Sequence, residues 1–280
     1  MADPSTLVER VWPGRKATVE PLGGGITNRN FRVEADGETF VLRIGGDDTE
    51  LLGIDRSAEH EASLVAAQLG LAPAVVAYLE PEGYLVTSFV DGEVGCAGIT
   101  EVGAALRRLH DGPAIRSRFD SFRVVEAYRA IAAARGVAVP VAYEWASEIA
   151  QRIETRRRGV KPCPCHNDLL NANFILDGDR LWIVDWEYAG MGDPYFDLGN
   201  FAVNHELDAD GERELLDAYG GGDRDALVLM RFMSDFREAM WGVVQQAISS
   251  LEFDFAAYAA EHFERLERTA AEPRFGRALG

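Results

Sequence analysis

The hydrophobic pattern of this chain changes character once, near residue 90, and that change limits the fold more than any other feature. Before it, strand-like runs cover Ala17–Leu22, Asn30–Glu34 and Thr39–Ile44, the last two separated by the turn Ala35-Asp36-Gly37-Glu38. Two more, Ala74–Leu79 and Tyr84–Ser88, are split by Pro81-Glu82-Gly83. A short helix over 4–12, capped near Ser5, precedes them, and Ser57–Leu69 has helical spacing stopped by Gly70. Beyond the change, helical patterns run over roughly 98–110, 122–134, 142–157, 195–205, 211–219, 225–250 and 254–270. Only short β-like runs interrupt them, at Lys161–Cys165, Phe174–Leu176 and Leu181–Val184. The expected fold class is α+β in two lobes: a small β-rich lobe over 1–88, a hinge over 89–92 and a larger, mostly helical lobe over 93–280. A chain of 280 residues that is 47% hydrophobic can pack such a core.

Charge and composition exclude several classes of function. Acidic residues outnumber basic ones, 46 to 28, for a formal net charge of -18, and a surface so acidic repels nucleic-acid backbones. It suits a cationic small substrate, although solubility alone is a sufficient reason for it. No apolar run approaches the roughly 20 residues that span a bilayer, so no membrane partner is expected. The segment MADPSTLVERVW has no apolar h-region and is not read as a secretory signal. Three unevenly spaced cysteines do not make a disulfide framework, and a reducing cytoplasm is the simplest setting. Oligomeric state has no signature in the sequence.

The chemistry concentrates in Cys165-His166-Asn167-Asp168-Leu169-Leu170-Asn171-Ala172-Asn173-Phe174. Its frame, H-x-D-L-x-x-x-N, has the spacing of a kinase catalytic loop. Phosphoryl transfer needs a carboxylate near the attacking hydroxyl and an amide oxygen about a turn away to ligate magnesium. Asp168 suits the first role and Asn173 the second; His166 is expected to brace the loop through hydrogen bonds. The next segment, Leu181-Trp182-Ile183-Val184-Asp185, is an apolar strand ending in an acid. A carboxylate there is costly unless a cation or donors satisfy it, and Mg2+ would do so. Cys163-Pro164-Cys165 beside His166 looks like a metal-binding fragment, but no fourth soft ligand is evident nearby, so buried structural cysteines are expected.

PCHNDLLNANFI followed by LWIVDWEYAGMGDPYFDLGNF resembles the choline/ethanolamine kinase family, within the wider aminoglycoside-phosphotransferase-like kinases, over most of the chain. The resemblance implies a two-lobed protein-kinase-like fold with ATP in the cleft between the lobes. It makes Leu22–Asn28 a nucleotide-covering loop, with Gly24, Thr27 and Asn28, and Arg43 the phosphate-contacting base. Arginine can grip phosphate oxygens bidentately. Glu61 would be the acid paired with Arg43, Ser88, Phe89 and Val90 would border adenine, and Asp197 would organise the loops. Either Asp193 or Asp197 could equally cap the helix beginning near Pro194.

For the acceptor, Glu187-Tyr188 resembles the family's choline-pocket pair, and WGVVQQAISSLEF resembles its C-terminal helix, with Trp241 on a cage tryptophan. An aromatic face holds a quaternary ammonium by cation–π attraction of about 2 kcal/mol when desolvated. Two positions depart from that pattern: Glu238 replaces a second tryptophan, and Asn204 replaces a glutamate. Glu238 could restore the lost negative charge. The function expected is transfer of the γ-phosphoryl group from ATP to a small amino alcohol, choline or ethanolamine first. An aminoglycoside or other metabolite kinase of the same fold, and a non-catalytic nucleotide- or amine-binding protein, are the competing readings.

Overall fold

The computed structural model describes residues 3–23, 28–46, 49–249 and 251–280. Helix α1 (Pro4–Val11) is capped by Asp3, whose carboxylate accepts from the Ser5 amide, rather than near Ser5 as expected. Asp with Pro at the next position is the stronger start, because Pro lacks the N–H that the first turn would leave unbonded. Five antiparallel strands follow: β1 (Ala17–Leu22), β2 (Asn28–Ala35), β3 (Glu38–Gly45), β4 (Val75–Leu79) and β5 (Tyr84–Ser88), ordered β1-β2-β3-β5-β4. Asp36 and Gly37 both take positive φ (54° and 85°) between β2 and β3, the backbone that a two-residue hairpin needs. Alternation along β3 sends Phe40, Leu42 and Ile44 into a core with Leu7, Val8 and Trp12, and turns Arg43 to the opposite face.

Between β3 and β4 lies α2 (Arg56–Gln68), capped by Asp55. Its Ala62 and Ala66 pack into a second core shared with the helical region. There β6 (Glu93–Val94) precedes α3 (Ile99–His110), α4 (Ser121–Ala134) and α5 (Ala142–Arg156). Next come β7 (Cys163–Cys165), β8 (Phe174–Asp177), β9 (Arg180–Ile183) and β10 (Gly190–Gly192). Helices α6 (Pro194–Asn204), α7 (Ala209–Tyr219), α8 (Arg224–Ile248), α9 (Phe255–Ala271) and α10 (Pro273–Leu279) complete the chain. Strands β6, β10 and α10 have no counterpart in the sequence reading. The first two are two or three residues long and are held by distant segments, β6 by β8 and β10 by β7 and the chain around Arg118. The third begins at Pro273, which by itself reads as a stop.

Helix α8 runs through the largest core, with 19 of its 25 residues buried, so it is lined by other elements on all sides. It crosses α6 at Gly199, where a Cβ would stand 2.7 Å from the Arg231 backbone nitrogen. That contact brings α8 under the loop between β7 and β8. Among the described residues no helix is long and apolar enough to cross a membrane.

Candidate active site

Leaving β7, the chain turns at Asn167 with φ 67°, a left-handed conformation that Asn tolerates better than most residues. Asp197, on the first turn of α6, holds that turn: its carboxylate accepts the amide of His166 at 2.8 Å and that of Asn167 at 2.7 Å. Asp193 makes the helix cap instead, accepting from the Tyr195 amide. The Asn167 side chain donates to the Tyr188 carbonyl at 3.0 Å. His166 Nδ1 accepts from the Asp168 amide at 3.2 Å, which leaves Nε2–H to donate to the Val184 carbonyl at 3.0 Å. Burial pushes this imidazole down to about 4, so it is neutral near pH 7. Asn200 accepts from the Leu169 amide and donates to Ser234 of α8 at 2.8 Å.

These bonds deliver the Asp168 carboxylate, buried with 7% of the residue exposed. One oxygen accepts from Arg237 Nη2 at 3.0 Å and the other from Asn173 Nδ2 at 3.4 Å. Burial pushes the carboxyl up to about 6, opposed by Arg237 and reinforced by Glu238. It can therefore take a proton near neutrality. Asn173 also donates to the Asp168 carbonyl at 2.8 Å, so its amide oxygen stays available as an acceptor.

The Val184 amide donates to the Asn173 carbonyl at 2.9 Å and ties the end of β9 to the loop. Asp185 follows with φ 68°, an uncommon backbone for a non-glycine residue and typical of places where function holds strain. Burial pushes its carboxyl up to about 7, against the pull of Arg43. Facing it are Arg43, Arg56, Glu59 and Glu187 in one linked ion network. Counting Asp185, three carboxylates meet two guanidiniums, so the fully ionised cluster carries one net negative charge. A polyphosphate enters such a place only together with cations. The two hard oxygens of Asp185 and Asn173 fit magnesium.

Arg43 pairs with Glu59 at 2.6 Å, not with Glu61, which bonds the Arg116 amide at 3.0 Å instead. Helix phase separates the two: two residues advance a helix by about 200°, so Glu59 and Glu61 leave α2 on opposite sides. Arg56 joins Glu59 at 2.7 Å, Glu187 at 3.0 Å and the Asn28 side-chain oxygen Oδ1 at 3.0 Å. Asn28 donates in turn to Glu187 at 2.9 Å. Gly45 leaves room for this arginine, since a Cβ there would stand 2.9 Å from its guanidinium. Gly24 and Thr27 lie outside the described residues. The amides of Ser88 and Phe89 are committed to the carbonyls of Ala74 and Thr39; Val90 follows them, half-buried.

The structure divides the pair Glu187-Tyr188. Glu187 belongs to the ion network, whereas Tyr188 turns toward α8, where its hydroxyl accepts from Trp241 Nε1 at 3.2 Å. Trp241 meets Phe255 and Tyr258 edge-on, with ring centroids 5.8 and 5.6 Å away. Glu238 is not a free negative charge. It is buried, paired with Arg237 at 2.8 Å, and accepts from the Tyr258 hydroxyl at 2.9 Å. Its neighbour in sequence is a cation that the same helix turn buries, and the two neutralise each other. Arg237 also lies over the Tyr188 ring, 5.1 Å from its centroid. Asn204 donates to the Leu169 carbonyl at 3.4 Å and so supports the loop.

Arg237, Arg56 and Glu59 escaped the sequence reading. A signal existed for the arginines. Arg237-Glu238 interrupts an otherwise apolar helix, and charges are buried only when paired. Arg56 opens α2, where the helix dipole disfavours a cation, so an anionic partner elsewhere is implied.

The profile of the phosphotransferase enzyme family matches residues 18–233. The crystal structure of a choline/ethanolamine kinase family protein from Mesorhizobium loti is 30% identical, with a TM-score of 0.83 over 99% of this chain and 97% of that one. LicA in complex with AMP superposes with a TM-score of 0.80 at 22% identity, covering 95% of this chain and 96% of that one, and shares the fold. Protein LicA of Haemophilus influenzae is 27% identical over 209 residues, which are 70% of this chain and 61% of that protein. The chain thus spans about three-fifths of the length of that curated relative. With a match over most of its length, the chain belongs to the phosphotransferase enzyme family and, within it, to the choline/ethanolamine kinase family.

Proposed function

We propose that the protein transfers the γ-phosphoryl group of ATP to the hydroxyl of a small amino alcohol, with choline and ethanolamine the first candidates. The observation that carries this reading is the buried Asp168 carboxylate, held by Arg237 and Asn173 beside Asp185. In the proposed reaction the acceptor oxygen bonds to the γ-phosphorus as the bond to the β–γ bridging oxygen breaks. ADP leaves, and Asp168 takes the hydroxyl proton. Arg43 and Arg56 grip the phosphates after trading carboxylate partners for phosphate oxygens. Adenine lies along Ser88–Val90, in the gap between the sheet and the helical region. Asn173 and Asp185 would hold magnesium, which when bound would neutralise charge on the phosphates. The proposed setting is the cytoplasm, where the free cysteines stay reduced.

For the acceptor, the aromatic group of Tyr188, Trp241, Tyr258 and Phe255 supports an amine-bearing substrate. One observation favours a second reading, an aminoglycoside or other small-metabolite kinase. Arg237 already covers a face of Tyr188, so the group is not an open cage.

An ATP-consumption screen against choline, ethanolamine, related amino alcohols, thiamine and aminoglycosides tests both readings, with products identified by mass and Asp168→Ala as control. Turnover of an amino alcohol that falls by about 10²–10⁴ in the variant is expected. Turnover of aminoglycosides alone would move the assignment to the second reading. No turnover with any acceptor would sink the kinase reading.

A further inference from the structure

Cys163 and Cys165 alternate along β7 and therefore point to the same side, with their sulfurs 3.8 Å apart. The sequence offers them no third soft partner nearby, and the adjacent His166 is spent on the Val184 carbonyl and the Asp168 amide. Tertiary structure supplies one from 53 positions upstream of Cys163: His110, the last residue of α3. A ring nitrogen of His110 and both sulfurs lie within 4.8 Å of one another.

The geometry points to a soft-metal site formed by Cys163, Cys165 and His110, of a kind that takes Zn2+. Two thiolates each about 2.3 Å from a tetrahedral zinc stand about 3.8 Å apart, which is the separation seen here and nearly twice a disulfide bond. The imidazole has to approach by about 1 Å to complete three ligands. Nδ1 is the ligand atom of the proposal: Nε2–H donates to Asp197 at 3.1 Å, as the second nitrogen of a metal-bound imidazole does, which fixes the tautomer and leaves the Nδ1 lone pair to accept. Nδ1 now accepts from the Tyr219 hydroxyl at 2.8 Å, so a metal would take the place of that proton and leave a fourth position for water or the phenol oxygen. Cys163 is half-buried and gives the ion a route in; Cys165 and His110 are buried. Binding displaces two thiol protons to solvent and needs no oxidant.

Occupancy is connected to the catalytic loop. The carboxylate that steadies His110 is the one that holds the His166 and Asn167 amides. A metal here clamps α3 to β7, two positions before the loop begins its turn, and raises the melting temperature.

The test uses full-length, chelator-stripped, reduced protein with Cys96→Ser, which removes the exposed thiol outside the site. Cd2+ serves as the probe, followed by its thiolate charge-transfer absorbance, and Zn2+ by its effect on melting. One equivalent of Cd2+ is expected to bind, with the same signal when Asp185→Ala disables the magnesium position. Cys163→Ser, a mild change at a half-buried position checked by near-UV dichroism, should abolish the band and the Zn2+ shift. His110→Gln should weaken Cd2+ at least tenfold. A band of equal strength in Cys163→Ser, unchanged affinity in His110→Gln, or no band in the parent would each overturn the site.

Discussion

The two sides of the active site are held together by different forces. Around Asp168, the loop is fixed mostly by backbone amides and carbonyls, gathered by Asp197, Asn200, His166 and the single cation Arg237. Around Arg43, two guanidiniums and three carboxyl groups are linked in a network in which each arginine touches at least two carboxylates. The first arrangement is specific to one geometry, because the amides of His166, Asn167 and Leu169 are each held by one side chain fixed on a neighbouring helix. The second is redundant and exchangeable, because any oxyanion of suitable reach satisfies a guanidinium. In the proposed reaction they suit different tasks: a base must be in place before the substrate arrives, whereas a phosphate grip has to release something in order to bind.

This contrast can be broken most directly by removing one arginine from each side. Arg237→Met leaves the buried Asp168 and Glu238 carboxylates without their cation and the Asn167 carbonyl without its donor, and should cost about 3–5 kcal/mol. At this chain length that is a fall in Tm on the order of 10 °C. Arg56→Met, whose carboxylates keep Arg43, should cost about a third as much. Equal losses in thermal unfolding would erase the distinction.

A smaller effect sharpens the exchange idea. Arg43→Lys keeps the charge and loses the planar fork, so the KM for ATP should rise on the order of tenfold while the acceptor KM stays put. A matched rise in both, measured by steady-state kinetics, would place Arg43 in the scaffold rather than in the grip.

The smallest effect concerns pH. His205 packs at a tilt against Phe201 below the loop, and burial pushes its imidazole from about 6.5 down to about 4. Between those values the unfolded chain takes up a proton that the folded chain refuses, so the stability this residue contributes is complete above about pH 6.5 and is lost as pH falls toward 4. His205→Leu should flatten that part of the stability profile in chemical denaturation at stepped pH. The difference from the parent isolates His205 from Asp168 and Asp185, whose raised carboxyls tilt the profile the other way. An unchanged slope would mean that His205 is solvated in the folded protein.

What the sequence made legible was local. The strands β1 and β5 begin and end where the sequence reading put them, and the run from His166 to Asp185 could be read because its partners are close in the chain. Asn173 reaches Asp168 across five residues, and a tight hairpin, β8 to β9, returns the chain to Asp185. Spacing is enough when the connecting backbone is short, because few geometries are then open to it.

Partnerships across long separations needed the fold. Arg237 lies 70 residues from the Asn167 carbonyl, and His110 lies 87 from Asp197; neither pairing leaves a periodic trace. The choice of Glu59 over Glu61 turned on the phase of α2, which its packing through Ala62 and Ala66 sets. The sequence by itself thus determined which residues, His166, Asp168, Asn173 and Asp185, come together along one short stretch of chain, since local spacing and strand period place those groups. Only the tertiary structure decided which charges face them, because a buried ion takes the partner that packing brings within reach, however far away it lies in the chain.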